Sequence, residues 1–335
     1  MMKQRKGYQL FVVGLMAGTF FTGLGMAEAA YVNPYQYPET AAMTTRADKM
    51  KYMENKTATM FKGTKKAEEA YVVPKGWTED LTTFKNVRVE KYMPQKKGTD
   101  RVLFFLHGGG YVQGISNGYR DWAIAQSHAL GDGDTYLLNY RIAPEALYPE
   151  ILNEAVAAYK AILSSGVPAD KIVVAGDSAG GNLTTVLALY ARDHQLPMPG
   201  LLVLYSPWED AGHLPTHDTN VKKDLVLGEN NPSMLKAVNN NEDYFCTADL
   251  KDPYVSPIYA DLKNLPPTLI IGGKNELFVD DMALYTNHAQ AAGSTVEMHL
   301  FDDMSHDWPF IFPELSEAKE TYTLMSSFAD KYMKD

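Results

Sequence analysis

The chain predicts an α/β fold: a mostly parallel, doubly wound sheet carrying a helical cap. Two short apolar runs, 102–106 and 172–175, have the continuous hydrophobicity of strands buried on both faces, and each ends in a glycine-rich turn. Around them, strand and helix patterns alternate in the βαβ rhythm of a parallel sheet.

The elements follow in order. Lys3, Arg5 and Lys6 precede an apolar, glycine-containing run at 10–26 and then Ala27-Glu28-Ala29, so residues 1–29 are expected to be a signal peptide cut near Ala29. The apolar run is short for a bilayer span, so no stable membrane span is expected after processing and the mature protein is expected to be exported. Residues 30–80, with weak helical periodicity at 44–60, are expected to supply N-terminal cap helices. Residues 81–335 form the main domain, beginning with a half-buried strand in which Phe84, Val87 and Val89 alternate with polar neighbours.

Strands are then expected at 102–106, 135–139, 172–175, 201–205, 267–271 and 295–301. A helix starts at Pro149 and runs to about residue 165, with Ile151, Leu152, Ala155, Val156, Tyr159 and Ile162 at helical spacing; others cover 182–193, 281–292 and 314–333. Residues 209–252 show no strand pattern. A structureless loop of that length is unusual in a compact domain, so this stretch is expected to be a cap insertion.

Composition limits the partners. A chain of 335 residues, 45% hydrophobic and 21% charged, is neither disordered nor a multi-pass membrane protein. Its net charge of -10, with no basic run beyond the N-terminus, argues against nucleic acid. Cys246 is the only cysteine, so no intrachain disulfide forms; it is expected to be a small buried or half-buried side chain.

The chemistry sits in the two glycine turns. Gly176-Asp177-Ser178-Ala179-Gly180 joins a buried strand to a helix, as a nucleophile elbow does, with the Ser178 hydroxyl exposed on a strained turn. Such a motif arises by chance in roughly one chain of this length in ten, whereas His107-Gly108-Gly109-Gly110 arises in about two per thousand. Glycines let backbone N–H groups approach a ligand closely, so an N–H of this turn and that of Ala179 are expected to converge on one oxyanion.

A serine at its own pKa is a poor nucleophile and needs a base, itself oriented by a carboxylate. His306 lies just past the last strand, where that base is expected; His213 and His217 are separated by Pro215 and lack a third metal ligand. Glu276, just after the strand at 267–271, is the chosen acid. Asp280 and Asp281 compete, but stand where the next helix begins and fit a capping role. Tyr111, Trp208 and Trp308 flank these motifs as candidate pocket aromatics.

The HGGG, GDSAGGN, YRIAPE, SPW and DPYVSP stretches together resemble the bacterial hormone-sensitive lipase-like branch of the α/β-hydrolase fold, over about residues 84–310. The resemblance implies a serine carboxylic-ester hydrolase with Ser178 as nucleophile, His306 as base, and an oxyanion hole from Gly108, Gly109 and Ala179, with Gly110 a further candidate. It also implies a cap built from N-terminal helices and the insertion after Trp208. The chain departs from the family where Glu276 stands in place of the usual aspartate. A small ester substrate and no metal or organic cofactor are expected. The alternatives are an exported carbohydrate deacetylase on the same fold and, in a different class, a non-catalytic small-molecule receptor.

Overall fold

A computed structural model describes residues 43–62, 68–84, 87–240, 242–246 and 248–333. The expected leader therefore lies outside the described residues. Eight strands form one sheet: β1 (Trp77–Phe84), β2 (Val87–Pro94), β3 (Val102–Leu106), β4 (Thr135–Asn139), β5 (Ile172–Asp177), β6 (Leu201–Tyr205), β7 (Thr268–Gly273) and β8 (Val296–Phe301). Their spatial order is β1-β2-β4-β3-β5-β6-β7-β8. β2 runs antiparallel to β1 and β4, and all other pairs are parallel.

The helices are α1 (Arg46–Lys62), α2 (Asn117–Ala129), α3 (Glu150–Ser164), α4 (Ala179–Asp193), α5 (Pro215–Thr219), α6 (Pro232–Asn240), α7 (Glu242–Phe245), α8 (Val279–Ala291), α9 (Trp308–Ile311) and α10 (Ser316–Tyr332). No described helix is long and apolar enough to cross a membrane. β3, β5 and β6 are buried at every position, because helices cover both faces of a parallel sheet. β1 escapes the expectation of helix before residue 81: Glu79, Asp80 and an exposed Leu81 give it no apolar face, as suits an edge strand.

Register decides where the site forms. Leu106 pairs with Gly176, Asp177 with Tyr205, Tyr205 with Ile271, and Gly273 with Phe301. The parallel strands therefore end level, and their carboxyl-end loops share one edge, where ligands of open α/β sheets bind. The insertion after β6 is helical, with α5, α6 and α7 as its only regular elements among the described residues. α1 docks on the C-terminal part of the chain through Arg46 to Asp303, Lys49 to Glu317, and Lys56 and Tyr52 to Glu314.

Glu209, at the root of the insertion, is fully buried. One carboxyl oxygen accepts the Thr185 hydroxyl at 2.7 Å and the other has no partner. Burial, reinforced by the charge of Asp281, pushes its pKa well above the usual carboxylate range against the pull of Thr185. A raised folded pKa stabilises the fold below the unfolded value and loses that stabilisation as pH rises through the folded one. Glu209→Gln should therefore gain in Tm over the wild type by about 2 °C or more between pH 5 and pH 8, measured by thermal melts.

Candidate active site

The site begins with a steric demand. β5 runs straight into α4, and the turn between them passes against the end of β3. A Cβ on Gly180 would lie 2.0 Å from the Leu106 carbonyl oxygen, and one on Gly176 would lie 2.3 Å from that of Gly180. Only glycine fits at either position. Between them Ser178 adopts φ 51° and ψ -118°, a strained backbone held by its own N–H to the Tyr205 carbonyl at 2.9 Å. The strain aims its hydroxyl out of the sheet, ahead of the first-turn N–H groups of α4.

His306 comes from the loop after β8, and its Nε2 lies 2.8 Å from Ser178 Oγ. Glu276 comes from the loop after β7, with Oε2 3.4 Å from His306 Nδ1. That approach is electrostatic and falls short of a closed hydrogen bond. Glu276 Oε1 accepts the Ser206 hydroxyl at 2.7 Å and the Gly273 N–H. Burial pushes Glu276 up to about 7 against the pull of His306. Burial alone would lower the His306 pKa, but Asp307 and then Glu276 outweigh it and hold the imidazole well above the ordinary histidine range.

Of the three glycines of the first turn, Gly109 and Gly110 line the cavity beside Ser178 and His306. Gly108 departs from expectation. Its N–H donates to Asp177 Oδ1 at 2.9 Å, so the elbow's own aspartate takes the first donor of the turn. Tyr119 donates its hydroxyl to the other oxygen of Asp177 at 2.8 Å, tying α2 to the same point.

The competing acids do not reach His306. Asp281 accepts the Asp210 N–H at 3.0 Å and pairs with His217 Nε2 at 3.1 Å, while Asp280 accepts the Thr216 N–H. They also fail to cap α8, which has no side-chain cap; they anchor the insertion instead. Trp208 lines the cavity as expected, stacked on Phe278. Tyr111 and Trp308 are corrections: Tyr111 is buried against Tyr244 with its hydroxyl on Asn182, and Trp308 packs on Phe301. Both are too large to leave the core, and their rings are buried in it. Cys246 is likewise not buried but exposed, on a left-handed turn after α7.

The insertion contributes Val226, Leu227, Met234 and Val238 to the cavity wall, which Phe310 and Ile311 also line. α1 contributes none among its described residues, and residues 30–42 and 63–67 of the expected N-terminal cap lie outside the described residues. Asp224 holds this wall in place. Its Oδ1 accepts the N–H groups of Val226, Leu227 and, at 3.4 Å, His306, and its Oδ2 accepts that of Leu277 at 3.0 Å. One buried carboxylate thus joins the insertion to the loops of both Glu276 and His306. Ser206, with its hydroxyl accepting the Asp307 N–H at 3.1 Å, joins the same two loops from β6. Asp224 lies in no motif; Ser206, the serine of the SPW stretch directly after a buried strand, was the one usable signal.

Comparison with known proteins places the chain in a family. A family model described as the alpha/beta hydrolase fold matches residues 103–310. An acetyl-hydrolase of Streptomyces hygroscopicus is 32% identical over 229 residues, 68% of this chain and 75% of the relative. An esterase of Acinetobacter venetianus is 29% identical over 247 residues, 72% of this chain and 78% of the relative. A crystal structure of an esterase from the bacterial hormone-sensitive lipase family superposes with a TM-score of 0.76 at 27% identity, covering 87% of this chain and all of that one. The chain belongs to the α/β-hydrolase fold family, in its bacterial hormone-sensitive lipase branch.

Proposed function

We infer that this chain is a serine carboxylic-ester hydrolase working through an acyl-enzyme. The 2.8 Å approach of Ser178 Oγ to His306 Nε2 carries the reading. Ser178 attacks the ester carbonyl as its proton passes to His306 Nε2. The N–H groups of Gly109, Gly110 and Ala179 receive the oxyanion, Gly108 being engaged elsewhere. His306 then protonates the departing alkoxide, and water activated through the same nitrogen cleaves the acyl-serine. Glu276 keeps the imidazole oriented and stabilises its charged form.

The acyl group is short to medium. Val226, Leu227, Met234 and Val238 close an apolar wall over a serine that is only 7% exposed, which suits compact groups. The names of the curated relatives, acetyl-hydrolase and esterase, support the same class. The presence of His306 beside the serine disfavours a receptor that binds without turnover. The basic start, apolar run and Ala27-Glu28-Ala29 of the chain support an exported enzyme cleaved near Ala29.

A p-nitrophenyl ester series from acetate to palmitate tests this reading. Turnover should be highest on the short chains and lost in Ser178→Ala; a folded wild type inert on every chain length would sink it. Glu276→Gln should lower kcat by about 10³–10⁴ at little change in fold, since it removes the charge that holds the tautomer. Asp224→Asn, which sets an amide NH2 donor against backbone N–H donors, should lower kcat by about 100-fold through misplacement of both loops, with the melt checked by circular dichroism.

A further inference from the structure

Asp307 follows the base directly, and no step above uses it. Its Oδ2 lies 3.0 Å from His306 Nε2, the same nitrogen that faces Ser178 Oγ at 2.8 Å. Its Oδ1 is buried without a hydrogen-bond partner. The residue starts α9, yet its side chain caps nothing, and its backbone is left-handed at φ 50°, a region that aspartate tolerates but that asparagine or glycine would fill as well. Neither capping nor backbone conformation therefore calls for a carboxylate here. Its position in the cavity wall, against the reacting nitrogen, does.

We propose that Asp307 is a second carboxylate partner of His306, acting on the nitrogen that faces the serine, where it stabilises the protonated imidazole and competes with Ser178 for it. The proposal rests on the ester-hydrolase reading and makes Asp307 a positioning residue for that reaction. In the resting enzyme Nε2 stands between two oxygens. When the Ser178 proton arrives there, Asp307 offers the new N–H a second acceptor, while Glu276 faces Nδ1. The proton then leaves to the alkoxide of the departing alcohol, and the contact to Asp307 falls back to its resting form.

The groups around this pair set the sign. Asp177 faces it from the end of β5, Tyr119 from α2, Glu276 from the loop after β7, Asp224 from the insertion, and the Ser206 hydroxyl from the end of β6. Burial and the charge of Asp307 push Asp177 well above the usual carboxylate range. Asp307 itself is raised by burial, with His306 pulling it back down. A carboxylate at 3.0 Å favours the imidazolium and so moves the loss of base function to higher pH. Below that midpoint, His306 is already protonated and Ser178 idle.

The test is a titration of ¹⁵N-histidine-labelled full chain by NMR, with His306 assigned by its absence in His306→Asn. In Asp307→Asn the His306 midpoint should fall by about 1 pH unit or more relative to wild type. The acid limb of kcat/KM on p-nitrophenyl butyrate should move down with it, giving up to tenfold more relative activity on that limb. Asp307→Gly, which suits the left-handed backbone, should behave alike and serves if the asparagine variant does not fold. A folded variant whose His306 midpoint matches or exceeds the wild-type value overturns the proposal. Because the titration needs no turnover, an inert wild type would sink the hydrolase reading and leave this result standing on its own.

Discussion

The crossing of two backbones at the elbow is the constraint from which the site follows. Strand β5 must deliver Ser178 beyond the sheet, and α4 must start at once behind it, so the turn presses against the carbonyls of Leu106 and His107 at the end of β3. Two absent side chains make that contact possible. Because β3 and β5 pair in parallel from Val102 and Ile172 onward, the glycine turn after β3 arrives beside the serine by register alone. The strain at Ser178 is held from β6 and the residues just after it: its N–H bonds to the Tyr205 carbonyl, and its carbonyl accepts the Trp208 N–H.

Around that crossing, buried carboxylates do the positioning, each facing backbone donors. Asp177 takes Gly108, Glu276 takes Gly273, Asp281 takes Asp210, and Asp224 takes four N–H groups from three segments. Backbone donors suit this work because they need no side-chain ordering and fix loops whose own sequences carry little preference. Burial raises Asp177, Glu276 and Asp281. Of the carboxylates paired with His306, Asp307 lies nearer than Glu276.

Much of this was legible in the chain, and the remainder was hidden for physical reasons. The elbow, the glycine turn, His306 and Glu276 stand at strand ends, where local pattern and chain order suffice. The sheet was legible wherever strands were buried on both faces; β1 was not, because its polar residues face solvent at an edge. Gly108 looked equivalent to its neighbours in sequence, and only the Asp177 side chain, brought opposite by the β3–β5 register, sets it apart. Tyr111 and Trp308 were near the motifs along the chain but point into the core, a difference that sequence distance does not carry. Asp224 acts across separate loops, a role that exists only once the chain has folded, and Asp307, though next to the base in sequence, reaches the reacting nitrogen only through the left-handed turn that the fold imposes.

Asp224 gives the insertion a property that its apolar wall alone would not. The same carboxylate that seats Val226 and Leu227 over the serine also carries the backbone of His306 and of the residue after Glu276. The lining of the cavity and the placement of base and acid are thus set by one side chain, so a change of shape in the insertion would reach the catalytic loops without touching them directly.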